Sequence, residues 1–330
     1  MAIGTTNIGI SQLYGEHNKD AVTDLSFRHV CNRLHNYGAD GTDLTSMRSD
    51  IEASNFSMGA FSGASFDLAS GGNLVFRFDP FYGYDTYEQG ESRGATTNVG
   101  HNNATNTPVS PSANSVGNSV YNLTGTDALL FDSTLGSGEV FTLPASGSTA
   151  TWVFIFKPAA TGSFSQYNIM DTLQEVEGTT DSAFYGTKFD HNNNGSIRAI
   201  TGDGTGTGSS DRRTYSSATG VITQDEWNAI GFVLEEGDSS VNATTGNWCY
   251  HYDFGADTVT SSCSAVSGSS SGAIAYTFST TADQDTLMVG AGGSVSRYQD
   301  TEMGHILVFN GRMTSTEFTN LMDGLKGYYV

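Results

Sequence analysis

From residue 73 onward the chain alternates short apolar runs with turn residues. Leu74–Phe78, Ala128–Phe131, Thr151–Phe156, Ser182–Phe189, Ser196–Ile200, Trp227–Leu234, Trp248–Phe254, Thr258–Cys263, Ala273–Phe278, Thr286–Val289 and His305–Phe309 predict strands. Asn194-Gly195 and Asn310-Gly311 mark tight turns between them. Within Trp248–Phe254 the alternation is strict. Trp248, Tyr250, Tyr252 and Phe254 share one face, and Cys249, His251 and Asp253 the other. Many strands without long helices between them predict an antiparallel sandwich or barrel. The period changes only at the end of the chain. There Thr314 and Glu317 form a T-x-x-E capping box, and Phe318, Leu321, Met322 and Leu325 follow at i, i+3, i+4 and i+7. A short amphipathic helix is expected, stopped by Gly327, with Tyr328–Val330 as a last extended piece.

Residues 1–70 have a different texture. The opening MAIGTTNIGISQLYGEHN spreads isoleucines among glycine, threonine and asparagine, with no charge before Glu16. Leu25–Leu34 is a helix candidate and Ser54–Phe61 a short extended piece with spaced aromatics. This region has too little apolar bulk for a core of its own, so it is expected to pack against a partner. The pattern thus divides the chain into residues 1–70 and 71–330. Three polar stretches interrupt the second part, at Gly94–Asn118, Thr201–Gly220 and Ser261–Gly272. Long loops of this kind are functional, disordered, or ordered against a neighbour. No internal repeat is found.

Composition supports the β reading and narrows the partners. The chain has 40 glycines but 5 prolines, so its turns rely on Gly, Asn, Asp and Ser. A net charge of −21 repels a phosphate backbone, which argues against nucleic acid as a partner. Met1–Asn18 lacks the basic start and the roughly 7–15 unbroken apolar residues of a signal peptide. The strongest apolar run, Trp152–Phe156, is far short of the roughly 20 residues of a membrane helix. The expectation is a protein made in a cytoplasm without membrane insertion, which stays there in solution or leaves by a route other than the signal-peptide pathway. Of Cys31, Cys249 and Cys263, none lies in a CxxC or zinc spacing. A turn at Gly255-Ala256-Asp257 would set Cys249 opposite Cys263, whereas a one-residue slip abolishes that pairing. Two free thiols are the preferred reading for cytoplasmic assembly.

Two family resemblances follow from particular motifs. Phe141-Thr142-Leu143 leading to Trp152–Pro158, the W-N-x-I-x-F strand Trp227–Phe232, the aromatic strand start Trp248, the V-G-x-G-G stretch Val289–Gly293 and the closing strand–turn–helix resemble the concanavalin A-like (laminin G-like) jelly-roll family over roughly residues 73–330. The insertion Gly94–Asn118 has no counterpart in that pattern. The resemblance implies an all-β antiparallel jelly-roll sandwich ending in a short helix. The opening M-A-I-G-T-T-N-I-G-I-S, with Asp24-Leu25-Ser26-Phe27 and Ser54–Gly59, resembles the N-terminus of tail-fibre and related virion proteins of marine and cyanobacterial phages. Arg28–Asp50 departs from it. This resemblance implies a virion-docking region in which Ile3, Ile8, Ile10, Leu25, Phe27 and Phe56 meet other virion proteins. It further implies a homotrimeric subunit of the bacteriophage particle, assembled in the host cytoplasm.

Candidate chemistry is sparse. Asp190, Asn192 and Asn194 match the first half of an EF-hand loop, D-x-N-x-N-G. Calcium chemistry also asks for a bidentate Glu at position 12, where Thr201 stands, so a tight turn with Asn-Gly at its tip is the favoured reading. The jelly-roll resemblance keeps a rim calcium site, Ca2+ being the one cofactor considered. The alternating glycines of Thr201–Gly208 lack the strand and helix of a phosphate loop. Glu175 and Glu177 are the acidic pair placed for glycoside hydrolysis, which needs carboxylates about 5–10 Å apart. The E-x-D-x-x-E signature of jelly-roll glucanases is absent, and no G-x-S-x-G elbow occurs. No catalytic residue is therefore assigned. Tyr82, Tyr84 and Tyr87 in F-Y-G-Y-D-T-Y-E either stack on sugar rings of a host-surface glycan or pack against the N-terminal region or a neighbouring subunit. The expected function is a fibre or appendage subunit displaying a lectin-like sandwich for host attachment. A capsid decoration protein and a polysaccharide-degrading enzyme are the alternatives.

Overall fold

A computed structural model of the chain describes residues 74–80, 83–86, 95–96, 99–102, 112–117, 119–124, 127–132, 149–160, 166–171, 185–203, 212–235, 238–266, 286–290 and 299–330. Strands are numbered in chain order. One ten-stranded sheet runs β15 (Thr258–Ser261), β14 (Trp248–Asp253), β13 (Asn228–Glu235), β8 (Thr149–Pro158), β18 (Thr301–Asn310), β1 (Leu74–Asp79), β2 (Gly83–Thr86) and β3 (Ala95–Thr96). It also takes in β6 (Ser119–Leu123), which pairs with β18, and β5 (Ser112–Ala113) beyond it. The second, eight-stranded sheet runs β16 (Ser264–Ala265), β12 (Arg212–Ser216), β11 (Ile197–Asp203), β10 (Tyr185–Asn192), β9 (Gln166–Asp171), β17 (Thr286–Gly290), β7 (Asp127–Asp132) and β4 (Val99–Asn102). The strand pairings are antiparallel throughout both sheets. The chain is an all-β sandwich ending in a short helix, as its alternation predicts.

The core lies between the sheets. Trp152, Phe154 and Phe156 of β8 point inward with Ile230, Phe232 and Leu234 of β13 and Ile306 and Val308 of β18. The opposite sheet answers with Phe189, Ile197, Ala199 and Tyr215. Phe189 is the hub, its ring centroid 5.5 Å from Trp152, 5.1 Å from Phe154 and 5.8 Å from Phe232. The alternate residues of the same strands, such as Val153, Ile155, Ala229 and Val233, are equally buried. A strand buried on both faces must be covered twice, and the second cover comes from the C-terminus.

That cover is α1 (Ser315–Leu325), followed by a 3-10 turn over Lys326–Tyr328. The expected capping box is present: the Thr314 hydroxyl accepts from the Glu317 N–H while the Glu317 carboxylate accepts from the Thr314 N–H. Phe318, Leu321, Met322 and Leu325 form its buried stripe. Phe318 stacks on Tyr250 at 5.5 Å and lies directly over Gly231, where a Cβ would come within 2.7 Å of the ring. Gly327 does not end the helix into an extended piece. The helix tightens across it because Tyr328 and Tyr329 turn inward. Tyr329 packs on Trp227 at 4.5 Å and Phe254 at 5.3 Å, and Tyr328 on His305.

Other expectations change in detail. The polar stretches are not simply loops: β12 lies within 201–220, β16 within 261–272, and β3, β4 and β5 within 94–118. The turn after β14 spans Phe254–Asp257, not three residues, with Asp257 in the left-handed region at φ 54°. Asp253 therefore pairs with Thr258, and the Ser262 N–H donates to the Cys249 carbonyl at 3.1 Å. The one-residue slip occurs, and Cys249 and Cys263 are free thiols, the preferred reading. Leu25–Leu34, Ser54–Phe61 and Ala273–Phe278 lie outside the described residues.

Candidate functional site

The half EF-hand motif sits at one rim of the sandwich, where β10 meets β11. Backbone bonds close the turn: the Asn192 N–H donates to the Ser196 carbonyl at 2.8 Å and the Gly195 N–H to the Asn192 carbonyl at 2.9 Å. Gly195 takes φ 75° and its backbone lies against Gly220, so a side chain there would meet both strain and atoms. The Asn194 Oδ1 accepts from the Ser196 N–H and hydroxyl, and the Asn192 Nδ2 donates to the Ser196 Oγ. Asp190 is held apart from them. Its carboxylate is fully buried and takes both Nε and Nη2 of Arg198, at 2.7 and 2.6 Å, across the strand pair. A bidentate guanidinium occupies the lone pairs that a hard cation would use. Asn192 and Asn194 form the turn favoured by the sequence, with Asp190 on the strand before it, and among the described residues no cluster of three or more His, Cys, Asp or Glu is placed to hold a metal.

Beside this turn lies a buried polar group that the sequence did not single out. His191, next to Asp190, points the other way, into the core between Tyr167 at 5.0 Å and Phe156 at 6.0 Å. Loss of solvent pulls its pKa down to about 4, against smaller opposing effects of Asp190, the Asn192 backbone and Gln299. The Gln299 amide in turn donates to the Ala159 carbonyl, tying the start of β18 to the end of β8. On the outside of the same rim Lys157 faces Glu302 at 3.3 Å and Asp225 at 3.6 Å. Asp225 has φ 61°, held by its N–H donating to the Pro158 carbonyl at 2.7 Å.

A second buried polar set spans β13, β14 and β15. His251 Nε2 lies 3.2 Å from Asn228 Oδ1, and its Nδ1 lies 3.5 Å from the Thr260 hydroxyl. In outline this is a hydroxyl–imidazole–amide relay. Its chemistry is wrong for activating a nucleophile. Burial lowers the His251 pKa to about 4, far from the neutral range where a general base works best. Asn228 is already committed, taking the Thr223 N–H at 3.0 Å and donating to the carbonyls of Thr223 and Glu226. The set braces the turn before β13.

The remaining sequence candidates are only partly placed. Tyr84 lies on β2, opposite Phe78 of β1 and Thr96 of β3. Tyr82 and Tyr87, the pair Glu175 and Glu177, and Ile3, Ile8, Ile10, Leu25, Phe27 and Phe56 lie outside the described residues. No helix among the described residues is long and apolar enough to cross a membrane.

Comparison with known proteins returns neither a matching family model nor a matching curated protein. Among solved structures, the chain is similar to the receptor-binding domain of botulinum neurotoxin D, with 10% identity and a TM-score of 0.45, covering 77% of this chain and 53% of that one. It is likewise similar to the botulinum neurotoxin serotype D ligand-binding domain in complex with N-acetylneuraminic acid, with 11% identity, a TM-score of 0.45 and coverage of 76% and 51%. The mosaic serotype C/D receptor-binding domain gives 10% identity, a TM-score of 0.44 and coverage of 76% and 51%. The chain spans about half the length of these structures.

Proposed function

We propose that this chain is a phage virion structural protein, a fibre or similar appendage subunit. In this reading residues 1–70 dock onto other virion proteins and the β-sandwich projects as a lectin-like head, recognising host-surface glycan without catalysis. The observation that carries the proposal is the commitment to bracing of the polar groups at the rim turn and around Asn228. Asp190, Asn228 and the rim turn are used up in bonds within the fold, and the His251 relay is poorly tuned for base catalysis. That is the economy of a display scaffold. The N-terminal motif resemblance and the net charge of −21, which suits dense display in solution, support it.

Deletion of residues 1–66 tests the docking half. The truncated chain is expected to fold and to be absent from particles; normal incorporation would overturn the docking role. Copy number per particle separates an appendage subunit from a capsid decoration protein. For the head, binding to a glycan array is expected to fall on Tyr84→Ala with the fold intact, and an unchanged profile removes that tyrosine from the binding role. Release of reducing ends from algal or bacterial glycans, lost in Glu175→Gln and Glu177→Gln, would favour the enzyme reading instead.

A further inference from the structure

One long side of the sandwich is closed by consecutive residues of the chain. Among the described residues β15 ends the ten-stranded sheet, pairing only with β14, and β16 ends the eight-stranded sheet, pairing only with β12. The chain passes from one sheet to the other through Ser262-Cys263. Residues 258–266 read TVTSSCSAV, with no charge, no proline and no glycine. Thr258, Thr260, Ser261, Ser264 and Ala265 are exposed. Sheet edges are ordinarily blunted by charge, proline or a bulge, because an open edge invites another strand. Here none of these is present, and the β14–β15 pairing runs without a register shift.

Backbone geometry fixes which groups face outward. The Ser262 N–H donates to the Cys249 carbonyl, and pairs alternate between bonded and non-bonded along an antiparallel ladder. Thr260 and Thr258, opposite His251 and Asp253, thus spend their backbone groups on β14. Val259 and Ser261 turn theirs out. Two outward residues flanking one threonine are self-complementary about a twofold axis through Thr260. Val259 of one copy meets Ser261 of the other, and the reverse, giving four backbone hydrogen bonds with the two Thr260 side chains adjacent.

We propose that β15 is a self-association edge, pairing antiparallel with β15 of a second copy of this chain. Charge selects that occupant. Two chains of net charge −21 repel, and an uncharged strip is where they can approach closely. Of the carboxylates beside the strip, Asp257 is paired with Lys326, 3.1 Å away, and Asp253 lies on β14, opposite Thr258. A charged partner strand would find only hydroxyls and methyls to face it. The same strip of a second copy matches it in charge, in side-chain size and in hydrogen-bonding register.

Sedimentation of the full chain over a wide concentration range tests this. The smallest species is expected to double in mass as concentration rises, more readily at high salt, where repulsion is screened. Thr260→Lys puts a charge at the twofold contact, and Ser261→Pro removes an outward N–H. Both are expected to hold the chain at its smallest species with an unchanged far-ultraviolet spectrum. If Ser261→Pro fails to fold, Thr260→Lys alone decides. Absence of mass doubling in the wild type, or doubling that persists in Thr260→Lys, overturns the proposal.

Discussion

The two faces of the ten-stranded sheet are both buried, but by opposite means. On the inner face large aromatics interlock with a second sheet, and Trp152, Phe154 and Phe232 close around Phe189. On the outer face the sheet is thin. Ala229, Gly231 and Gly304 let α1 and the terminal tyrosines come down onto the backbone, with Phe318 over Gly231 and Tyr329 over Gly304. The inner cover is assembled from strands far apart in the chain, whereas the outer one is a single local segment with its own cap. Removing bulk should therefore damage the inner face most, and adding bulk the outer.

Trp152→Ala should have the largest effect. Its side chain is fully buried at the centre of the inner layer, so the loss should be about 3–5 kcal/mol of unfolding free energy by urea titration. A loss under about 1 kcal/mol would mean the inner face is not the main core.

Acid should come next, acting through two histidines buried on the inner side. His191 and His251 both have a folded pKa of about 4, below the value near 6.5 of an unfolded histidine. Between those values the unfolded chain takes up protons that the folded chain refuses. Stability is thus fully present above about pH 6.5 and falls with pH by about 1.4 kcal/mol per unit per histidine, or about 2 kcal/mol each by pH 5. His191→Gln should flatten the slope by about half, and a slope unaltered by the substitution would assign the acid sensitivity elsewhere.

On the outer face Gly231→Val should cost about 1–3 kcal/mol by overpacking against Phe318, with protease sensitivity appearing near the C-terminus first. Uniform proteolysis would mean that the helix is not a separable layer. The smallest effect should be Thr314→Ala, which removes the cap for about 1 kcal/mol. A change of that size in the thermal midpoint, restored by Thr314→Ser, would identify the cap as its source.

The same contrast explains what the sequence made legible. The strands β8, β13, β14 and β18 announce themselves through apolar runs because they are buried on both faces, and α1 through its capping box and i, i+3, i+4 stripe. β12 was hidden: Arg212-Arg213-Thr214-Tyr215-Ser216 carries its inward bulk as Tyr215 with the Arg213 guanidinium 5.9 Å above that ring, a pairing no hydropathy pattern shows. The sequence leaves the turn after β14 open to a one-residue slip, and Asp257 decides it by adopting a left-handed backbone, secured by the Tyr252 hydroxyl and Lys326. At the rim, Asn194-Gly195 was readable as a turn tip. The role of Asp190 was not, since Arg198 lies across the hairpin and the pairing needs the register. His191 and His251 carry no motif. What makes them notable is burial, and burial belongs to the fold.

The proposed virion role is tested most directly by a density map of the phage particle that this chain is proposed to join. Residues 1–70 are expected to be seated in the particle and the sandwich to project from it, with its terminal helix folded onto the outer face of the ten-stranded sheet. A sandwich embedded in the particle wall with residues 1–70 pointing into solvent would contradict it.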